Sequence, residues 1–238
     1  MKFLKRVITK ILGGELDHPM ILKYQLWRRK ILGQDRRMKE SYLDSTEHPK
    51  LHIGASDHLL DGWLNTDICP LKEVMFLDAT KKYPFTDSSF AFVFSEHMIE
   101  HVSRPDGILM LEECFRILRP GGVLRIVTPN LETIMGIYAK ELSSQQQDYL
   151  DWMSGAFTPD APEASSAYVI NAFFRLWGHQ FIYDESTLIV ALKAVGFSRI
   201  KRFSLGESSF DSLRGLENVE RYPAGLLEFE SICLEVTK

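Results

Sequence analysis

The run Phe90-Ala91-Phe92-Val93-Phe94 gives way to Ser95-Glu96-His97, and this change from apolar to polar decides how the chain is read. A short segment that is apolar throughout belongs in a sheet buried on both faces. Working back from it, Leu51-His52-Ile53 stops at Gly54, Trp63-Leu64-Asn65-Thr66 at Asp67, and Val74-Met75-Phe76-Leu77 at Asp78. Working forward, helical periodicity from Pro105 to Leu118 is broken by Arg119-Pro120-Gly121-Gly122. Val123 to Val127 then makes a fifth strand, closed by Pro129. After an interruption the rhythm returns with a helix from Asp184 to Val195, a strand near Ile200 to Phe203 and a final strand from Leu227 to Val236. Strands alternating with helices predict an α/β fold, three layers around a mostly parallel seven-stranded sheet.

Composition sets the outer bounds. The chain has 238 residues, 45% hydrophobic and 25% charged, enough for one ordinary domain with an extension or insertion. No stretch reaches the roughly 20 apolar residues of a membrane-spanning helix. Residues 1–12 interleave lysines with apolar residues and lack the pattern of a secretory signal. The three cysteines, Cys69, Cys114 and Cys233, are far apart and form no CxxC pair, so the expectation is a reduced, cytoplasmic protein without a disulfide framework. Residues 1–50 carry 12 Lys+Arg against 6 Asp+Glu, and the remainder 16 against 26. A basic head on an acidic body argues against a nucleic-acid partner.

Residues 1–48 read as a basic helical extension and 49–238 as the domain. Apolar residues 3, 4, 7, 8, 11 and 12 share a helical face, which allows weak contact with a membrane surface through residues 2–12. Packing on the domain is the preferred reading, because that face is short. A second helix is expected from Met20 to Leu32. Residues 142–178 form an insertion or lid, with Trp152, Phe157, Tyr168, Phe173, Phe174 and Trp177 as a satellite core.

In an open parallel sheet, ligands bind beyond the carboxyl ends of the strands. Small residues after the first strand let the backbone approach a ligand closely, and acidic residues after the second and third suit ribose hydroxyls and an adenine amino group. Gly54, Asp67, Pro84-Phe85, Ser95-Glu96-His97-Met98-Ile99-Glu100-His101 and Arg119-Pro120-Gly121-Gly122 occur in order. This set resembles class I S-adenosyl-L-methionine (SAM)-dependent methyltransferases over roughly residues 50–130. The likeness is to the small-molecule, type 11-like branch, some of whose members resemble enzymes of glycan biosynthesis. The resemblance implies a Rossmann-like fold and SAM as cofactor. Gly54, Ala55 and Ser56 would face its methionine part, Asp67 with Ile68 the ribose, Asp78 with Ala79 the adenine. Ser95 and Glu96 would lie beside the methyl group. One departure stands out: the family's first loop carries several glycines, whereas Ala55-Ser56-Asp57 follows Gly54 here.

The histidines supply candidate chemistry. A hydroxyl acceptor must lose its proton as it attacks a methyl carbon, and an imidazole is suited to take it. His97, His101 and His179 are the candidates, with Glu100 to orient a neighbouring ring; His97 ranks first as nearest the fourth strand's end. A metal reading of His97 and His101 lacks a third ligand in the sequence, so no metal is assigned. The implied reaction is methyl transfer to a small-molecule acceptor, with a saccharide hydroxyl as the substrate guess. The alternative is a non-catalytic binding or scaffolding protein that keeps the fold with a degenerate glycine loop. A nicotinamide-dependent oxidoreductase is disfavoured, because no Gly-x-Gly-x-x-Gly follows the first strand.

Overall fold

Alternation along each strand sends one set of side chains to each face of the sheet, and the computed structural model, which describes residues 18–70 and 73–238, shows both sets buried along the central strands. The strands are β1 (Lys50–Ile53), β2 (Leu64–Asp67), β3 (Met75–Phe76), β4 (Phe90–Glu96), β5 (Leu118–Pro129), β6 (Ser198–Arg202) and β7 (Ser231–Thr237). They lie in the order β3-β2-β1-β4-β5-β7-β6. The pairings from β3 through β5 are parallel; β7 runs antiparallel to both β5 and β6. The sheet is thus the mostly parallel, seven-stranded, Rossmann-like one expected. Strand order reverses between β1 and β4, which opens a crevice at their carboxyl ends.

The two faces are covered differently. Leu51, Ile53, Val93, Leu124, Ile126 and Leu234 pack beneath helices α3 (Arg104–Ile117) and α7 (Glu185–Val195), which contribute Met110, Leu111, Cys114, Leu188 and Leu192. On the other face Phe94, Val123, Val127 and Cys233 meet Trp63, Leu213 and Leu216. That layer is built from turns and 3-10 helix, since the link from β1 to β2 is too short for an α-helix. A buried ion cluster ties it down. Arg125 on β5 is fully buried and donates to Glu217 Oε1 at 2.6 Å, Glu235 Oε1 at 2.7 Å and Glu207 O at 2.8 Å.

The amino-terminal helices α1 (His18–Leu32) and α2 (Gln34–Ser45) dock at the β3 edge. Arg29 Nη2 donates to Val74 O at 2.7 Å, Phe76 N–H donates to Asp35 Oδ1 at 2.9 Å, and Tyr42 Oη bridges Lys50 and Gly62. The basic face of residues 2–12 lies outside the described residues. No described helix is long and apolar enough to cross a membrane.

Three helices follow β5: α4 (Leu131–Gly136), α5 (Ser144–Phe157) and α6 (Ser166–Arg175). The stretch from Ser143 to Asp148 is polar throughout. It is the exposed first part of α5, started by a capping box in which Ser143 and Gln146 satisfy each other's backbone N–H groups. Of the six aromatics expected to form a satellite core, Phe173 is buried in one with Tyr149, Leu150, Met153 and Val169, Trp152 and Phe157 pack against it, and Tyr168, Phe174 and Trp177 stay substantially exposed. The expected final strand also starts too early. Residues Leu226–Glu230 form a short helix, α8, because Leu226, Leu227 and Glu230 bury together at helical spacing. Pairing with β5 starts only at Ser231, opposite Pro129.

The Arg125 cluster generates a stability prediction. Replacing Arg125 with Met leaves two carboxylates buried without their cation, and should cost about 3–5 kcal/mol. Urea unfolding of the variant measures this; an unchanged midpoint would mean that Glu217 and Glu235 do not depend on the charge.

Candidate active site

Two loops meet at the crevice between β1 and β4. Gly54, directly after β1, has a φ of 77°, and a Cβ built there would lie 2.6 Å from Met98 Cγ. Only glycine satisfies both constraints. The N–H groups of Gly54 and Ala55 both donate to Thr66 O, at 2.9 and 3.0 Å, folding the loop over β2. Ser56 follows with a φ of 47°. The position where the family pattern has glycine therefore still has left-handed backbone, imposed on a serine at about 1–2 kcal/mol.

Asp67 stitches this loop to the next. Its Oδ2 accepts from Ser56 N–H at 3.0 Å and its Oδ1 from Cys69 N–H at 2.7 Å. Each oxygen retains a lone pair for another donor, so the carboxylate can still receive a pair of vicinal hydroxyls. Asp78 Oδ1 accepts both the N–H and the hydroxyl of Thr80, while its Oδ2 has no hydrogen-bond partner among the described residues. Ala79 is buried and Ile68 exposed. Ser95, at the end of β4, is buried with its hydroxyl unpartnered. Glu96 is committed elsewhere: it accepts from Asn218 N–H at 3.2 Å and from Arg221 Nη2 at 3.1 Å, which anchors the segment after Glu217.

Beyond Ser95 the chain leaves the sheet at His97, whose N–H donates to Val127 O at 2.9 Å and whose φ is 47°. A left-handed histidine costs about 1–3 kcal/mol, and strain of this kind gathers at functional sites. It turns the chain into a 3-10 helix, Ile99–His101. His97 Nε2 lies 3.1 Å from Ser231 Oγ; its Nδ1 faces Glu100 Oε1 at 3.5 Å and Glu230 Oε1 at 3.9 Å. Glu100 is fully buried. Thr128 Oγ1 donates to its Oε2 at 3.1 Å, but its Oε1 has no hydrogen-bond partner.

The fourth catalytic candidate arrives from far along the chain. Glu100 O accepts from the N–H groups of Gln180 and Phe181 at 2.7 and 3.2 Å, and Gln180 Nε2 donates to His101 O at 2.8 Å. These bonds set the His179 ring beside that of His101, 4.9 Å between centroids. His179 Nδ1 donates to Phe173 O at 2.7 Å. All four predicted catalytic residues line one cavity of about 200 Å³, roofed by Met153, Phe157, Phe173 and Trp177 of the insertion.

Burial dominates the electrostatics here. It pushes the Glu100 carboxyl up to about 8 and that of Glu230 up to about 7. The same desolvation lowers His101 to about 4 and holds His97 and His179 below the usual imidazole value. Near neutral pH the cavity holds uncharged imidazoles beside carboxyls that retain much of their proton.

Sequence reasoning missed Glu230, Tyr222, Arg221 and Thr128. Glu230 accepts from the hydroxyls of Tyr149 and Tyr222, the latter at 2.8 Å. The helical spacing of Leu226, Leu227 and Glu230 was the available signal for a buried carboxylate; nothing local marks Arg221 or Tyr222.

A family model described as a methyltransferase domain matches residues 65–126. No curated protein matches the sequence. Among solved structures, a SAM-dependent methyltransferase from Archaeoglobus fulgidus aligns with 90% of this chain and 99% of its own, at 15% identity and a TM-score of 0.46. One from Thermotoga maritima aligns with 91% of this chain and 96% of its own, at 17% identity and a TM-score of 0.46. A Haemonchus contortus phosphoethanolamine N-methyltransferase, solved with S-adenosyl-L-methionine, aligns with 87% of this chain and 52% of its own, at 13% identity and a TM-score of 0.39.

The first loop provides a paired prediction. Ser56→Gly should raise stability by about 1 kcal/mol, by removing the cost of a side chain at positive φ. Gly54→Ala should lower it, because the new methyl group meets Met98. Thermal unfolding of both variants checks this, and a destabilised Ser56→Gly would contradict the strain assigned to the serine.

Proposed function

We propose that the chain transfers a methyl group from SAM to a hydroxyl of a small-molecule acceptor, with a saccharide as the first class to test. The observation that carries the reading is the contact between the Gly54 loop and Met98. It sets a cradle for a nucleoside-bearing cofactor directly against the cavity of imidazoles and carboxyls. The cradle fits SAM on the chemistry of its donors and acceptors. Gly54 lets the loop turn closely over β2, Asp67 keeps lone pairs for ribose hydroxyls, Asp78 Oδ2 is open to an adenine amino group, and the Ser95 hydroxyl lacks a partner.

The cofactor, when bound, supplies an electrophilic methyl carbon on a positively charged sulfur. Much of what the residues must then do is position the acceptor in line. The acceptor oxygen bonds to the methyl carbon, the carbon–sulfur bond breaks with its electron pair left on sulfur, and the hydroxyl proton passes to a base. His97 is that base in this reading. Burial keeps its ring neutral, with a lone pair free to take the proton, and Glu100 and Glu230 flank Nδ1, where whichever carboxyl is ionised favours the positive charge that develops. The cavity is smaller than the about 300–1,000 Å³ of common ligand pockets, which suits one small ring or the end of a longer glycan. Aromatic walls at Trp177 and Tyr222, beside polar groups, suit a sugar, which offers both apolar C–H faces and hydroxyls.

Calorimetric titration with SAM and S-adenosylhomocysteine tests the cofactor part. Binding should be micromolar and should fall by more than tenfold in Asp67→Ala. Absence of binding to folded wild-type protein would favour a scaffolding role instead. For the chemical step, His97→Ala should keep SAM affinity while lowering kcat by about 100-fold or more, measured by release of S-adenosylhomocysteine with the best sugar acceptor. Unchanged turnover would remove His97 as the base.

A further inference from the structure

We propose that Glu100, His101 and His179 form a binding site for one divalent transition-metal ion, open towards the cavity. One ligand atom from each of the three residues lies within 4.8 Å of those of the other two, and Glu100 Oε1 and His101 Nε2 are 3.9 Å apart. Ligands at zinc distances of about 2.0–2.1 Å stand roughly 3.3 Å from one another in a tetrahedral site, so small side-chain rotations bring this set into range.

Three independent features point to an ion. Glu100 Oε1 is buried without a hydrogen-bond partner, although an unsatisfied buried acceptor is costly and calls for an explanation. His179 Nδ1 is fixed by donating to Phe173 O at 2.7 Å, which leaves the Nε2 lone pair for a ligand. Metal-binding histidines are oriented by their other nitrogen in this way. The backbone bonds from Gln180 and Phe181 to Glu100 O hold the distant His179 at the site independently of any ion.

The donor set narrows the choice of metal. Two imidazoles and one carboxylate suit zinc or ferrous iron, and fit poorly with magnesium or calcium, which favour oxygen donors throughout. All three residues line the cavity, so the remaining coordination position faces the acceptor. An ion there would polarise an acceptor hydroxyl and ease loss of its proton. That last role rests on the methyl-transfer reading; the binding of the ion does not.

The test uses the full-length protein after treatment with a chelator. Zinc chloride titrated by calorimetry should bind at one equivalent, and cobalt(II) should give ligand-field absorption without a thiolate charge-transfer band. His179→Ala and Glu100→Gln should each weaken zinc by about 100-fold or more, with circular dichroism confirming the fold of each; if one fails to fold, the other carries the comparison. Zinc should also raise the unfolding temperature of wild type and leave both variants unmoved. No binding at all, affinity unchanged in both variants, or a thiolate band from the cysteines would each overturn the site. SAM titration of the same metal-free protein keeps the two readings apart. Zinc binding without SAM binding sinks the methyltransferase and spares the metal site, and the reverse result does the opposite.

Discussion

The arrangement of the site depends on one carbonyl oxygen. Glu100 O takes the N–H groups of two successive residues, Gln180 and Phe181, and in doing so joins the turn after β4 to a segment that follows four further helices. Those bonds hold His179 beside His101 and, with the packing of the satellite core, help to fix the insertion above the strand ends. The Gln180 side chain adds a third bond to His101 O, so the join resists rotation as well as separation. Backbone groups carry most of it, which leaves the side chains of Glu100, His101 and His179 available for chemistry.

A second constraint acts on the other half of the crevice. Gly54 and Met98 approach so closely that the loops after β1 and β4 pack directly against each other. The chain bears left-handed backbone at Gly54, Ser56 and His97 to achieve this, and two of those three are residues for which that conformation is costly. The burial that holds the cavity together also withholds water from Glu100 and Glu230, keeping their protons into the neutral range. Packing and protonation in the cavity therefore share one cause: residues of the insertion cover the strand ends there.

Much of this was legible from residues alone. The continuous apolar runs ending in Gly54, Asp67, Asp78 and Ser95 predict the sheet and its mostly parallel sense, and they mark the edge where the candidate residues lie. The four catalytic candidates converge on one cavity. The misses have physical reasons. Helix α5 begins with an exposed polar turn, so its hydrophobic period starts late. Helix α8 is a single turn whose apolar residues read equally well as strand. Glu96 is spent on Arg221 and Asn218, because successive side chains on a strand point to opposite faces. Arg221, Tyr222 and Glu230 reach the cavity only through tertiary packing, set in part by the buried Arg125 cluster, and no local pattern encodes a partner more than a hundred residues away.

The antiparallel placement of β7 has a consequence for how the molecule comes into being. This strand lies between β5 and β6, so β6 has no neighbour in the sheet until β7 slides in beside it. The bond between His97 and Ser231 spans 134 positions of chain, and that between Tyr149 and Glu230 spans 81. Contacts of such range form after local ones, because the closure entropy of long loops must be met first. During synthesis the strands β1 to β5 leave the ribosome well before Glu230 is added. A growing chain thus acquires the loops after β1 and β2 early and the cavity lined by His97, Glu100 and Glu230 last, when β7 completes the sheet.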